Sequence, residues 1–128
     1  MARKSSATLT EVEQRLMEVV WDRKSATVSE VVAALASAHQ VAFNTVQTML
    51  RILERKGYLR HKAEGRAFRY YPIVNRQQAS TSAVRQVLNR FFDGAPGKLA
   101  INILENQRLS ATEITQLRRL IDEARTSK

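Results

Sequence analysis

The stretch from Asn44 to Tyr71 reads NTVQTMLRILERKGYLRHKAEGRAFRYY, and it constrains the fold more than any other part of the chain. Its first half has the helical period, in which residues three or four positions apart share a face. The apolar face consists of Val46, Met49, Leu50 and Leu53. The opposite face carries Asn44, Thr48, Arg51 and Arg55. The sequence therefore predicts a helix that buries one side and offers hydrogen-bonding groups on the other.

The second half of this stretch predicts a β-hairpin. Gly57 follows the helix at the position where a left-handed cap is favoured. Residues 59–62 and 67–71 alternate between apolar and polar side chains, and Gly65 lies in the turn between them. Pro72 ends the second strand because proline has no amide hydrogen for a further ladder bond.

Two shorter helices precede this stretch. Thr10 and Glu13 form a capping box for the first, which runs to about residue 22, and a short extended piece follows at 26–28. Ser29 is the expected cap of the second helix, which ends near Ala38. Phe43 is expected to pack as a hydrophobic staple where the third helix begins. Three helices followed by a hairpin predict a winged helix-turn-helix domain over residues 1–74.

The charge distribution indicates the partner of this domain. The formal net charge is +9, and residues 44–71 contain seven basic side chains against two acidic ones. A polar helix face beside a basic hairpin is typical of a domain that binds the major groove of double-stranded DNA. The residues expected to contact bases are Asn44, Thr45, Thr48 and Arg51. Those expected to contact the DNA backbone are Arg55, Lys62, Arg66 and Arg69. Arg66 is also open to a structural role in the hairpin turn.

Residues 75–128 predict three more helices, which makes the fold class mainly α with a small β wing. About fifty residues are too few for a robust separate core, so their apolar faces are expected to meet those of a second copy. Packing back on the winged domain is the alternative. The residues expected in this helical dimerisation module are Val84, Leu88, Phe91, Leu99, Ile103, Ile114, Leu117 and Ile121.

Several kinds of chemistry find no support in the sequence. His39 and His61 are far apart, there is no cysteine, and no glycine-rich phosphate loop occurs, so we expect neither an enzyme nor a cofactor or metal site. The chain has no long apolar run, and because no apolar segment follows the basic residues at its start, we expect no signal peptide there. We therefore expect a cytoplasmic protein without membrane insertion.

Taken together, these segments resemble the BlaI/MecI family of bacterial repressors, which control penicillinase and methicillin-resistance genes. The resemblance covers nearly the whole chain. Its most specific parts are LTEVEQRLMEVVW, NTVQTMLRILERKGYL and EGRAFRYYP, together with the ending formed by Leu109, Ser110, Glu113 and Leu117. It implies a homodimeric repressor that binds a pseudo-palindromic operator and is inactivated by a membrane sensor protease.

Two departures from the family pattern bear on function. Asn44 stands where the family usually has threonine, and asparagine can make a bidentate contact with adenine. In the family, cleavage falls at an asparagine-phenylalanine pair, and the resemblance implies the matching bond Asn102–Ile103 in this chain. Two other functions stay open at this stage: a winged helix that binds proteins, and a regulator of unrelated genes gated by a small ligand.

Overall fold

The computed structural model describes residues 8–36 and 41–126, and over these residues it contains six helices and one small antiparallel sheet. The elements are α1 (Glu11–Arg23), β1 (Ala26–Thr27), α2 (Val28–Leu35), α3 (Phe43–Arg55), β2 (Leu59–Glu64), β3 (Ala67–Pro72), α4 (Arg76–Phe91), α5 (Pro96–Asn106) and α6 (Ala111–Thr126). The predicted fold class, mainly helical with a small β wing, is confirmed.

Capping boxes set the start of the first two helices. In α1, Thr10 Oγ1 accepts a hydrogen bond from the Glu13 amide at 3.1 Å, and Glu13 Oε1 accepts one from the Thr10 amide at 2.9 Å, as predicted. The prediction of Ser29 as the cap of α2 was wrong, because Thr27 and Glu30 form that capping box. Thr27 is the last residue of β1, so its extended backbone leads directly into the helix. The end expected near Ala38 lies outside the described residues.

The sheet has the strand order β1-β3-β2, and both pairings are antiparallel. The hairpin of β2 and β3 pairs Leu59 with Pro72 at one end and Glu64 with Ala67 at the other. Gly65 occupies the turn with a φ of 62°, a conformation that side-chain-bearing residues rarely adopt. The predicted hairpin is therefore confirmed, and we call it the wing.

One core unites α1, α2, α3 and the sheet. Its largest fully buried side chains include Leu16, Leu50 and Tyr70. Trp21 lies at the edge of the core and donates its indole hydrogen to the carbonyl oxygen of Val74 at 2.8 Å. Phe43 does not act as a staple, since 46% of its surface is exposed. Phe43 is the first residue of α3 and does not belong to the buried core cluster.

The chain divides into two compact units, Met1–Gln86 and Val87–Lys128. The first half of α4 belongs to the first unit, where Ala79 is buried and Arg76 forms ion pairs with Glu18 and Asp22 of α1. In the second unit, α5 and α6 bury none of their described side chains. The functional division predicted from the sequence, 1–74 and 75–128, stays a prediction. Among the described residues, no helix is long and apolar enough to cross a membrane.

Candidate nucleic-acid interface

The two faces of α3 are separated as the sequence predicted. Val46, Leu50 and Leu53 are fully buried and Met49 is half-buried, so this face attaches the helix to the core. The exposed face carries all of the polar residues selected from the sequence: Asn44, Thr45, Thr48, Arg51 and Arg55. Because these side chains share one exposed stripe of a firmly attached helix, we call α3 the recognition helix.

Arg51 lies where the recognition helix meets the wing. Its side chain is exposed and hydrogen-bonds to Tyr70, whose ring is buried in the core. Burial and the nearby charge of Glu54 raise the pKa of Tyr70 above its ordinary value, although the hydrogen bond and charge of Arg51 oppose them. Tyr70 therefore remains a neutral phenol at physiological pH. Its buried ring gives the Arg51 side chain a fixed contact within the protein.

The cations of the wing lie mainly on one face of the hairpin. Arg60 pairs with Tyr71 across the strands, so both side chains point to the same side. The Arg60 Cζ atom is 5.0 Å from the centre of the Tyr71 ring, and the Lys62 Nζ atom is 5.8 Å from it. These distances allow cation–π attraction, which orders both side chains without removing them from solvent. Arg66 is exposed in the turn.

Arg69 differs from the other wing cations. Its side chain is only 20% exposed, and its guanidinium forms ion pairs with Glu30 of α2 and Glu64 of β2. The phosphate contact predicted for Arg69 would have to compete with both carboxylates. That contact stays a prediction, but the arrangement favours a role inside the protein.

His61 is a site residue that was not predicted from the sequence. Its Nδ1 atom lies 2.8 Å from Glu54 of the recognition helix, and its ring stacks on Phe68 of the opposite strand with 4.2 Å between ring centres. His61 thus joins the wing to the recognition helix. Strand alternation provided a signal, because His61 lies two residues after the buried Leu59 and therefore on the same, inward face.

The residues selected for dimerisation lie on α4, α5 and α6, and most are exposed. Examples are Phe91 with 69% of its surface exposed, Ile103 with 40% and Ile121 with 56%. Within the second unit, α5 and α6 border a groove of about 690 Å³, whose lining includes Ile103 and Leu117. Asn102 and Ile103, the residues of the implied cleavage site, are both exposed on α5.

No cluster of three or more histidine, cysteine, aspartate or glutamate side chains is placed to hold a metal ion within residues 8–36 and 41–126. The geometry instead combines a protruding polar helix, a flanking cationic hairpin and an uncovered apolar surface. The first two features suit a DNA groove and its phosphates.

Comparisons with known proteins agree with this geometry. The chain is 33% identical over 120 residues to the penicillinase repressor of Bacillus licheniformis, covering 94% of both chains. It is 23% identical over 115 residues to the methicillin resistance regulatory protein MecI of Staphylococcus aureus, covering 90% of this chain and 94% of that one. Among solved structures, it is similar to monomeric Bacillus licheniformis BlaI in complex with the blaP half-operator. The TM-score is 0.50 at 33% identity, with coverage of 59% of this chain and 92% of that chain.

The family model described as penicillinase repressor matches residues 9–123, which include both units almost completely. Since the match extends from α1 to α6, it covers the recognition helix, the wing and the exposed C-terminal helices together. This chain therefore belongs to the penicillinase repressor family.

Proposed function

We propose that this protein is a transcriptional repressor of the BlaI/MecI type, which binds an operator in double-stranded DNA as a homodimer. The observation that carries the proposal is the exposed polar stripe of the recognition helix beside the cationic wing. The similarity to BlaI solved in complex with a half-operator supports it, since 92% of that chain is matched at 33% identity. A bound dimer represses by covering the DNA that the transcription machinery must occupy.

The recognition helix reads the sequence of the operator. Asn44, Thr45, Thr48 and Arg51 contact base edges, since they lead the exposed stripe. Arg55, Lys62 and Arg66 contact phosphates on either side and set the register of the protein on the duplex. Asparagine at position 44 favours an adenine at the base pair that it reaches.

The C-terminal helices form the dimer. The second unit exposes apolar side chains from all three of its helices, and such a surface is unfavourable in water unless it is covered. A second copy presents the same apolar surface, so a dimer with a two-fold axis can bury the surfaces of both copies against each other. The two recognition helices of the dimer then bind two half-sites, which are spaced by about one turn of the DNA helix (roughly 34–36 Å) or a multiple of it.

Proteolysis of the Asn102–Ile103 bond by a membrane sensor protease releases the operator. Both residues are exposed on α5, and the cut separates α6 from the rest of the dimerisation module. The weakened module lets the winged domains act as monomers, which bind half-sites with much lower affinity. Ile103 replaces the phenylalanine of the family motif, so the protease must accept a smaller apolar side chain.

A binding experiment tests the DNA-binding proposal. The full chain is titrated with duplexes selected from a random pool, at salt concentrations between roughly 50 and 200 mM. We expect a selected sequence with two-fold symmetry and an affinity that falls steeply with salt. Absence of salt-dependent duplex binding would favour the protein-binding alternative, and DNA binding abolished by a small molecule would favour the ligand-gated one.

Mass spectrometry tests the proteolytic step. The repressor is isolated from its own host before and after β-lactam treatment. We expect a fragment that ends at Asn102. An intact chain during full derepression would contradict cleavage while leaving operator binding unaffected.

A further inference from the structure

The guanidinium of Arg69 is fully engaged inside the protein. Its Nε atom donates to Glu64 Oε1 at 2.8 Å, and Nη2 donates to Glu64 Oε2 at 3.0 Å and to Glu30 Oε2 at 3.2 Å. Its Nη1 atom donates to Glu30 Oε1 at 3.1 Å and to Ser25 Oγ at 3.2 Å. An arginine side chain has five N–H donors, and these five bonds use that capacity. A phosphate could bind Arg69 only after one of its present partners had left.

These bonds connect two parts of the winged domain that are distant in sequence, the wing and the segment from Ser25 to Glu30. Arg69 lies on β3 opposite Lys62 of β2 on one side and Thr27 of β1 on the other. Glu30 lies in the first turn of α2 and also completes the capping box with Thr27. The Arg69 side chain therefore fastens the wing to the body of the domain, and the bidentate carboxylate contacts make this link directional.

Arg69 also determines how much negative charge the wing presents. Glu64 is the last residue of β2 and directly precedes the Gly65–Arg66 turn. The hydrogen bonds from Arg69 hold the pKa of Glu64 and that of Glu30 below their ordinary values, so both carboxylates are ionised at neutral pH. Without Arg69, Glu64 would lose the cation it pairs with, and Glu30 would keep only Arg23, whose Nη2 atom lies 3.5 Å away. More negative charge would then lie beside the part of the wing that we propose faces phosphates.

We propose that Arg69 is a positioning residue for DNA binding, which fastens the wing to α2 and neutralises Glu30 and Glu64 without contacting phosphate itself. This inference rests on the DNA binding proposed above. It assigns a different role to each of two nearby arginines, because Arg66 is exposed in the turn and Arg69 is saturated within the fold.

Three variants of the full chain separate these roles: Arg69→Gln, Arg69→Gln with Glu30→Gln and Glu64→Gln, and Arg66→Gln as the matched control. Glutamine at position 30 preserves the capping box, so the triple variant keeps the start of α2. Affinity for one selected duplex is measured as a function of salt concentration. The logarithm of the binding constant falls linearly with the logarithm of the salt concentration. The magnitude of this slope is about 0.9 for each phosphate of B-DNA that the protein neutralises.

For Arg69→Gln we expect affinity to fall about tenfold or more with the salt slope unchanged. In the triple variant we expect partial recovery of affinity, because the two carboxylate charges are gone while the wing is still unfastened. For Arg66→Gln the slope should fall by about 0.9 for each phosphate that the variant no longer neutralises. A slope reduced equally in both arginine variants, or parental affinity in Arg69→Gln, would overturn the inference.

Amide hydrogen exchange provides a second measurement that needs no DNA. Residues 62–67 should exchange faster in Arg69→Gln than in Arg66→Gln, since only the first change releases the wing. Equal exchange in the two variants would overturn the positioning role. If the parent chain itself fails to bind duplexes, the proposed function fails, while hydrogen exchange still decides whether Arg69 fastens the wing.

Discussion

The Nζ atom of Lys56 lies 2.7 Å from Oε1 of Glu13 and joins the end of the recognition helix to the first turn of α1. The Glu13 side chain is only 6% exposed and also accepts the capping hydrogen bond from the Thr10 amide. Burial by itself would raise the pKa of Glu13, but the hydrogen bonds from Lys56 and Thr10 outweigh it and hold this pKa below its ordinary value. The pair therefore fixes the C-terminal end of the helix proposed to read DNA.

This pair predicts a loss of stability in acid. A carboxyl whose pKa is lower in the folded chain stabilises the fold above its unfolded pKa, and that contribution is lost as the pH falls through the folded pKa. Glu13→Gln should therefore flatten the decline in unfolding free energy below about pH 4.3, the ordinary glutamate value. Chemical denaturation of the parent and the variant from neutral pH into acid measures this difference, and parallel profiles would contradict it.

Removing the cation tests the same pair at neutral pH. Lys56→Met leaves a nearly buried carboxylate without its partner and should cost about 1.5–3 kcal/mol of unfolding free energy. Arg15→Met is the control, because its pair with Glu11 is largely exposed and should contribute less than about 1 kcal/mol. Thermal or urea unfolding that shows equal losses for the two variants would mean that the Lys56–Glu13 contact is not specially stabilising.

Arg51 is predicted to read a base. The Arg51 side chain extends from the exposed stripe of the recognition helix and contacts Tyr70. Arg51→Ala should therefore cost about 1–3 kcal/mol of specific binding free energy and relax the base preference at one position of each half-site. Arg55→Ala is the control and should weaken all duplexes alike. Binding-site selection with both variants measures the preference. Equal loss of specific and non-specific affinity in Arg51→Ala would make Arg51 a phosphate contact.

Charge in the groove between α5 and α6 should prevent dimer formation. Leu117 lines this groove and is 38% exposed, so Leu117→Lys places an ammonium group on the surface that we propose a second copy covers. Gln116→Lys adds the same charge at the adjacent residue, which does not line the groove. Sedimentation velocity should give a monomer for the first variant and a dimer for the second. A dimer in both cases would move the interface away from this groove.

A fragment of residues 1–86 is predicted to fold as a monomer. It retains the Val74 carbonyl that accepts the Trp21 hydrogen bond and the Arg76 ion pairs with Glu18 and Asp22. A fragment that ends at Tyr71 lacks these interactions and should unfold at a lower temperature. Circular dichroism compares the two melting temperatures, and sedimentation tests the monomeric state. Dimerisation of the 1–86 fragment would place an interface in the first unit.

Local patterns were sufficient to predict most elements. The period of Val46, Leu50 and Leu53 identified the buried face of the recognition helix, and Gly65 identified the turn of the wing. The choice of the α2 cap was wrong because two local signals competed. Thr27 and Ser29 can both cap a helix, and the position of Thr27 at the end of β1 decided between them.

The amino-acid sequence by itself determined the order of the elements, the division of α3 into a buried and an exposed face, and the surplus of positive charge near the wing. Periodicity, caps and turns act between residues a few positions apart, so they can be identified without the fold. Only the tertiary structure decided which charges are available to DNA. Lys56 meets Glu13 across 43 positions and Arg69 meets Glu30 across 39, because packing of α1, α2 and the sheet brings these groups within hydrogen-bond distance. Two cations that look alike in sequence, Arg66 and Arg69, thereby acquire different surroundings, one in solvent and the other held between two carboxylates.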